Sequence, residues 1–228
     1  MGFLYTVAGF FAGGGIFMFP ILVVAALGAA ISLERYVTLT RLSAANRSAW
    51  HALQPALAEG DFEKARELTK AGDTAMARLL AMGLARQGSV RRREDLEIAM
   101  EESMMEIVPQ LEKRTHYLAT FANLATLLGL LGTVSGLIAA FGAVSTVNPA
   151  EKANLLSASI SEAMNCTAFG LMTAVPIVLI HAFLQTKTTE LINGLEMAAV
   201  KFLNAIGDRQ PTRGQARLGL VGQAAAQG

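Results

Sequence analysis

The chain has 228 residues, of which 53% are hydrophobic and only 16% charged, with a formal net charge of +1. This composition excludes a disordered polar chain, and the near-zero charge, with no basic stripe among aromatics, excludes a nucleic-acid binder. A single cysteine, Cys166, rules out an intrachain disulfide.

The placement of the charges says more than their number. Residues 1–33 carry no Asp, Glu, Lys or Arg, residues 115–150 carry none, and residues 153–186 carry only Glu162. Each run exceeds the roughly 20 apolar residues that cross a bilayer as a helix. None shows the polar stripe of a soluble core helix. The fold class expected is an all-α polytopic membrane protein with three transmembrane helices, over 14–36, 116–146 and 156–186, and long cytoplasmic helix extensions.

Lys and Arg set the orientation. Residues 35–114 hold thirteen of the nineteen, the 147–155 loop holds Lys152, and residues 187–228 hold five. The positive-inside rule then places the N-terminus and the 147–155 loop outside, and 37–115 and the C-terminus in the cytoplasm. Met1 to Ile31 has no basic n-region, so the first span is expected to be retained rather than cleaved as a signal peptide.

In chain order, residues 1–13 are expected to form an outer interfacial segment anchored by Phe3 and Tyr5, with Gly13-Gly14-Gly15 as a hinge before the first span. Pro20 falls near the start of that span, and Glu34, Arg35 and Tyr36 close it. Residues 37–115 read as a cytoplasmic helical insert and helix extension. Within it, Gly60-Asp61 precedes Phe62, Ala65 and Leu68 on one helical face. Gly72-Asp73-Thr74 then precedes Met76, Leu79, Leu80 and Gly83. Ser89 is an N-cap candidate for a helix expected to run from about 90 to 146, interrupted only by a kink at Pro109. The third span is expected to continue as a cytoplasmic extension over 187–207, through Leu191, Leu195, Ala198, Phe202 and Ile206. The 208–228 tail, rich in Gly, Gln, Ala and Arg, is expected to be disordered.

Glu162 is the outstanding candidate for chemistry. A carboxylate at mid-bilayer costs roughly 2.5–3.5 kcal/mol, so such a residue turns to a protein interior or a water-filled path, the alternative being a Glu near the outer interface that snorkels to water. At 100° per residue, Asn165, Cys166, Phe169 and Thr173 fall near its face, whereas Thr167 lies about 140° away. One narrow stripe does not hold both Glu162 and Thr167: either the helix is contacted on two sides or one of them serves packing. On the second span, Thr126, Gly129, Thr133, Gly136 and Ala140 share a face of small and hydroxyl residues, and Gly132 and Gly136 form a small-xxx-small pair. Enzyme signals are missing. His51, His116 and His181 match no metal spacing, and no framed nucleophile or phosphate loop occurs.

Two motifs carry a resemblance: Gly129-Leu-Leu-Gly-Thr-Val-Ser-Gly-Leu-Ile138, and Ile160-Ser-Glu-Ala-Met-Asn-Cys-Thr-Ala-Phe-Gly-Leu171 followed by Ala174-Val-Pro176. Together with the three spans and the large loop holding Gly60-Asp61-Phe62, they resemble the ExbB/TolQ/MotA family of motor proteins. MotA itself is less similar, having four spans.

The resemblance implies a multi-pass protein of the bacterial inner membrane. It implies a homo-oligomer, a ring of five subunits, around a dimer of single-span ExbD/TolR-like partners, each with an Asp in its span. It implies no cofactor; the transported ion is H+, with Na+ as the alternative. Downstream of the ring stand TonB/TolA-like or gliding effectors. The family's ion-path roles map onto Thr133, Glu162 and Thr167. Thr126, Ser135, Asn165, Cys166 and Thr173 are further lumen candidates. Asn165 and Cys166 depart from the family's apolar or small residues, and Ser135 from a common bulky aromatic, which makes the lumen more polar. A non-conducting membrane scaffold and a sodium-driven stator are the competing readings.

Overall fold

The computed structural model describes residues 13–87, 93–145 and 147–207. They form six helices and no β-strand: α1 (Met18–Glu59), α2 (Phe62–Lys70), α3 (Ala75–Arg86), α4 (Arg93–Glu112), α5 (Thr115–Val144) and α6 (Pro149–Gly207). Three stretches are long and apolar enough to cross a membrane, as expected: α1, α4 with α5, and α6. The expectations for the N-terminal interfacial segment, for Ser89 and for the tail fall outside the described residues.

The local chemistry explains most helix ends. Gly15 takes φ +72°, which suits glycine, and the chain turns there into α1. Pro20 then sits in the first turn of α1, where a missing N–H costs nothing. No glycine lies between Gly28 and Gly60, and α1 continues well past Tyr36, farther than the span alone requires. It stops in a Schellman turn. Gly60 has φ +76°, its N–H donates to Leu57 O at 3.2 Å, and Asp61 N–H donates to Ala56 O at 2.9 Å. Asp61 also caps α2, accepting from Lys64 N–H at 3.0 Å, and Thr74 caps α3, accepting from Ala77 N–H at 3.1 Å. The two Gly-Asp punctuation marks in the insert thus become real caps.

Two expectations differ. The helix predicted over 90–146 is two helices, and the break lies at Lys113–Arg114 rather than at Pro109, which α4 absorbs. Arg114 adopts the left-handed conformation, φ 68°, ahead of α5. That geometry costs a non-glycine residue about 1–2 kcal/mol, and no Gly or Asn flags it in the sequence. Arg114 Nη1 lies 3.0 Å from Glu34 Oε2, a half-exposed pair worth only about 0–1 kcal/mol. The second difference is the connection between α5 and α6, which is shorter than 147–155. Pro149 opens α6, and Glu151 favours its first turn.

The chain divides into two compact units, Met1–Leu39 with Glu112–Lys187, and Thr40–Leu111 with Thr188–Gly228. They are built on opposite rules. In the second, large apolar side chains are inside: Leu53, Leu79, Leu80, Leu84, Met100, Leu195 and Phe202 are each at most 2% exposed. This is a water-facing core. In the first, small residues are buried along α5 (Ala122, Ala125, Gly129, Gly132, Ala140). Leu127, Leu130, Val134, Ile138 and Phe141 of the same helix point outward. That inversion belongs to a segment solvated by lipid or by neighbouring protein. Asp61→Ala should cost about 1 kcal/mol of local stability. Hydrogen exchange of amides 62–70 should accelerate about five-fold while the amides of α5 stay unchanged.

Candidate functional site

The site lies where α5 and α6 meet, within the first unit. Their backbones approach closely because small residues face each other. A Cβ on Gly170 would stand 2.7 Å from Ala125 O and 3.0 Å from the Gly129 Cα. One on Gly129 would stand 3.2 Å from the Thr167 Cα, and one on Gly136 would meet the Ala163 Cβ at 2.9 Å. At Gly132 the occupant of the missing side chain's place is the Cys166 Sγ. Backbone atoms cannot move aside, so the glycines set the distance between the helices.

That distance lets Thr167 reach across. Its hydroxyl lies 2.7 Å from Gly129 O and 3.3 Å from Thr133 Oγ1. Thr133 in turn donates to Leu130 O at 2.6 Å in its own helix. The two threonines, both half-buried, therefore form one hydroxyl pair between the spans.

Glu162 stands apart from this pair. Among the described residues no hydrogen bond joins it to Thr133 or Thr167, and it takes part in neither ion pair, Arg66–Glu63 or Arg114–Glu34. Its carboxylate instead lies against Gly15, in the turn that opens α1. It lines a cavity of about 150 Å³ with Gly14, Phe17, Gly132, Ser135 and Gly136. Asn165 Nδ2 donates to Gly13 O at 3.3 Å in the same turn. Of the two arrangements the helical angle left open, α6 is thus contacted on two sides. One side meets α5 through Thr167, and the other meets the glycine turn through Glu162 and Asn165.

The remaining candidates are placed as follows. Ser135 shares the cavity with Glu162. Cys166 and Thr173 are buried within the protomer, at 1% and 9% exposure. Thr126 is exposed and donates back to Ala122 O at 3.1 Å. The second-span face is rotated slightly from the expected one. The buried stripe runs through Ala125, Gly129 and Gly132, with Thr126 and Thr133 on its edge. Sequence reasoning missed the role of the glycine triplet as a seat for the carboxylate. Its sign was there as a hinge, but nothing in the spacing tied it to Glu162. No cluster of His, Cys, Asp or Glu fit to hold a metal occurs among the described residues.

Comparison with known proteins adds to this geometry. The sequence model of the MotA/TolQ/ExbB proton channel family matches residues 71–197, which include both motifs. The putative biopolymer transport protein ExbB-like 1 of Synechocystis sp. is 32% identical over 180 residues, covering 76% of this chain and 68% of that protein. The Tol-Pal system protein TolQ of Haemophilus influenzae is 33% identical over 106 residues, 46% of this chain and 44% of that protein. The biopolymer transport protein ExbB of Aquifex aeolicus is 32% identical over 114 residues, 49% of this chain and 72% of that protein.

The glycine contact yields a paired test. Gly170→Ala should cost about 1–3 kcal/mol by overpacking and lower the melting temperature of the detergent-solubilised protein. Gly142→Ala in α5, where a Cβ meets nothing within 4 Å, should leave it unchanged or slightly raised.

Proposed function

The chain belongs to the MotA/TolQ/ExbB proton channel family, and from that premise we propose that it is the ion-conducting stator subunit of an inner-membrane motor. It is a multi-pass membrane protein with three candidate spans. In the proposed assembly five copies ring two single-span, Asp-bearing helices of the ExbD/TolR type. The proton motive force turns the ring against them. The N-terminus faces the periplasm and the C-terminus the cytoplasm, in line with the Lys and Arg bias of the loops.

One observation carries the ion-path reading. Glu162 is the sole acid in the three apolar runs, and it is exposed on the protomer without a cationic partner among the described residues. An ionisable group of this kind inside a membrane needs water or a polar partner, and the partner helix's Asp-bearing face supplies one. The Thr133–Thr167 pair continues the polar path between α5 and α6, beyond the Glu162 cavity.

The mechanism follows from charge. A proton arriving from the periplasm passes Glu162 and the hydroxyl pair to the partner's Asp. Neutralising that Asp removes its attraction to the polar groups of one subunit, and the ring steps to the next. The drive is about 2.3 kcal/mol per charge per 100 mV. Carboxylate and hydroxyl oxygens also suit Na+, so the same geometry supports a sodium-driven stator as the second reading.

Proton flux into liposomes holding the chain with its partner tests this. Flux should require the partner and fall to background in Glu162→Gln, with the ring intact by mass. Thr167→Val should reduce flux strongly, while Thr167→Ser, which keeps the hydroxyl, should retain most of it. Flux of Na+ but not H+ would change the ion and keep the path. Wild-type flux in Glu162→Gln would remove Glu162 from the path. An intact complex that conducts neither ion would favour a scaffold.

A further inference from the structure

The cavity beside Glu162, within the first unit, has walls of two kinds. On the α5–α6 side it is lined by Gly132, Gly136 and Ala163 among others. That side is fixed by close packing. A Cβ on Gly136 would already meet the Ala163 Cβ at 2.9 Å, and the place of one on Gly132 is taken by the Cys166 Sγ. The facing side is the turn of residues 14–17 that leads into α1.

The turn is held differently. Its three glycines bring no side chain to anchor it, and Gly14 rests on Met18 of its own helix. Among the described residues, one hydrogen bond ties it to α6: Asn165 Nδ2 donates to Gly13 O at 3.3 Å, a long bond. Gly15 adds a fit rather than a bond, since at φ +72° a Cβ would fall on Glu162 Oε1. Glycine backbone on a single polar tether, over a cavity of about 150 Å³ with room for several waters, makes a hinged wall. The sole cysteine of the chain lies beneath it. Cys166 is 1% exposed, and a Cβ on Gly132 would meet both its Sγ and, at 3.5 Å, the Phe17 Cβ at the end of the turn.

We propose that residues 13–17 are an outer gate to the Glu162 cavity, latched by the Asn165 amide, and that release of the latch swings the turn off α6 and opens the cavity to water. Glu162, exposed on the protomer and with Oε1 against Gly15, is the first group that an entering ion meets. Asn165 is a positioning residue: it holds the turn and not the ion. As the gate of an ion path, the device rests on the reading of Glu162 given above. The movement of the turn does not.

The rate at which the native Cys166 reacts with N-ethylmaleimide tests the latch, read by intact mass on the full-length chain in detergent. Asn165→Leu, close in size but without the donor, should speed labelling about five-fold, the ratio that about 1 kcal/mol for one net hydrogen bond gives. Gly15→Ala, which opposes the positive φ and sets a Cβ on the carboxylate oxygen, should speed it without touching Asn165. Asp61→Ala, which loosens the other unit, should leave the rate unchanged. In liposomes with the partner, Asn165→Leu should raise proton flux by up to the same factor, where mere damage to the path would lower it. Unchanged labelling in both Asn165→Leu and Gly15→Ala overturns the gate and leaves the Glu162 path standing. Faster labelling with reduced flux in Asn165→Leu also overturns it, because the turn then supports the path instead of closing it. Faster labelling beside wild-type flux in Glu162→Gln keeps the moving turn and removes Glu162 from the path.

Discussion

The close approach of α5 and α6 is the constraint from which the candidate site follows. At Gly129 and Gly170 there is no room for a side chain on either helix. Remove that closeness, and Thr167 no longer reaches the Gly129 carbonyl, Cys166 no longer fills the space beside Gly132, and the two hydroxyls separate. Lipid supplies no hydrophobic drive between spans, so packing of this kind must supply the association. The polar groups sit on a frame that exists because side chains are absent at its centre, where the backbones at Gly129 and Gly170 meet.

The two compact units show how one chain answers two solvents. Where Leu and Phe are inside and Asp, Thr and Gly-Asp turns cap short helices, water is the solvent. Where Gly and Ala are inside and Leu, Ile and Phe are outside, water is not. The long helices α1 and α6 change from one rule to the other within one continuous helix each. A helix satisfies its own backbone in either medium, which is why it alone can make that transition within a single element.

Much of this was legible in the sequence. Charge-free runs marked the spans, Gly60-Asp61 and Gly72-Asp73-Thr74 marked where the short helices of the insert begin, and the small and hydroxyl residues of the second span marked a close helix contact. What was not legible had no local cause. Arg114 adopts a left-handed conformation that no glycine announces, and its partner Glu34 is eighty residues away. The glycine triplet read as a hinge, but its use as a seat for Glu162 and Asn165 depends on a contact of 152 residues' separation. Helical angle alone separated Glu162 from Thr167. It took the neighbours of α6 to show that both sides of the helix are engaged.

The hydroxyl pair has a polarity that bears on what can pass it. Each threonine has one proton to give. Thr133 commits its proton to Leu130 O at 2.6 Å, and Thr167 makes its short bond, 2.7 Å, to Gly129 O. The 3.3 Å between the two oxygens is long for an O–H···O bond. With both protons held by main-chain carbonyls, the lone pairs of the two hydroxyls are what remain to face each other. A cation coming between them meets acceptors already oriented toward it. In the proposed path, a proton relayed from hydroxyl to hydroxyl first requires one of them to turn away from its carbonyl, so relay and side-chain rotation would be a single event.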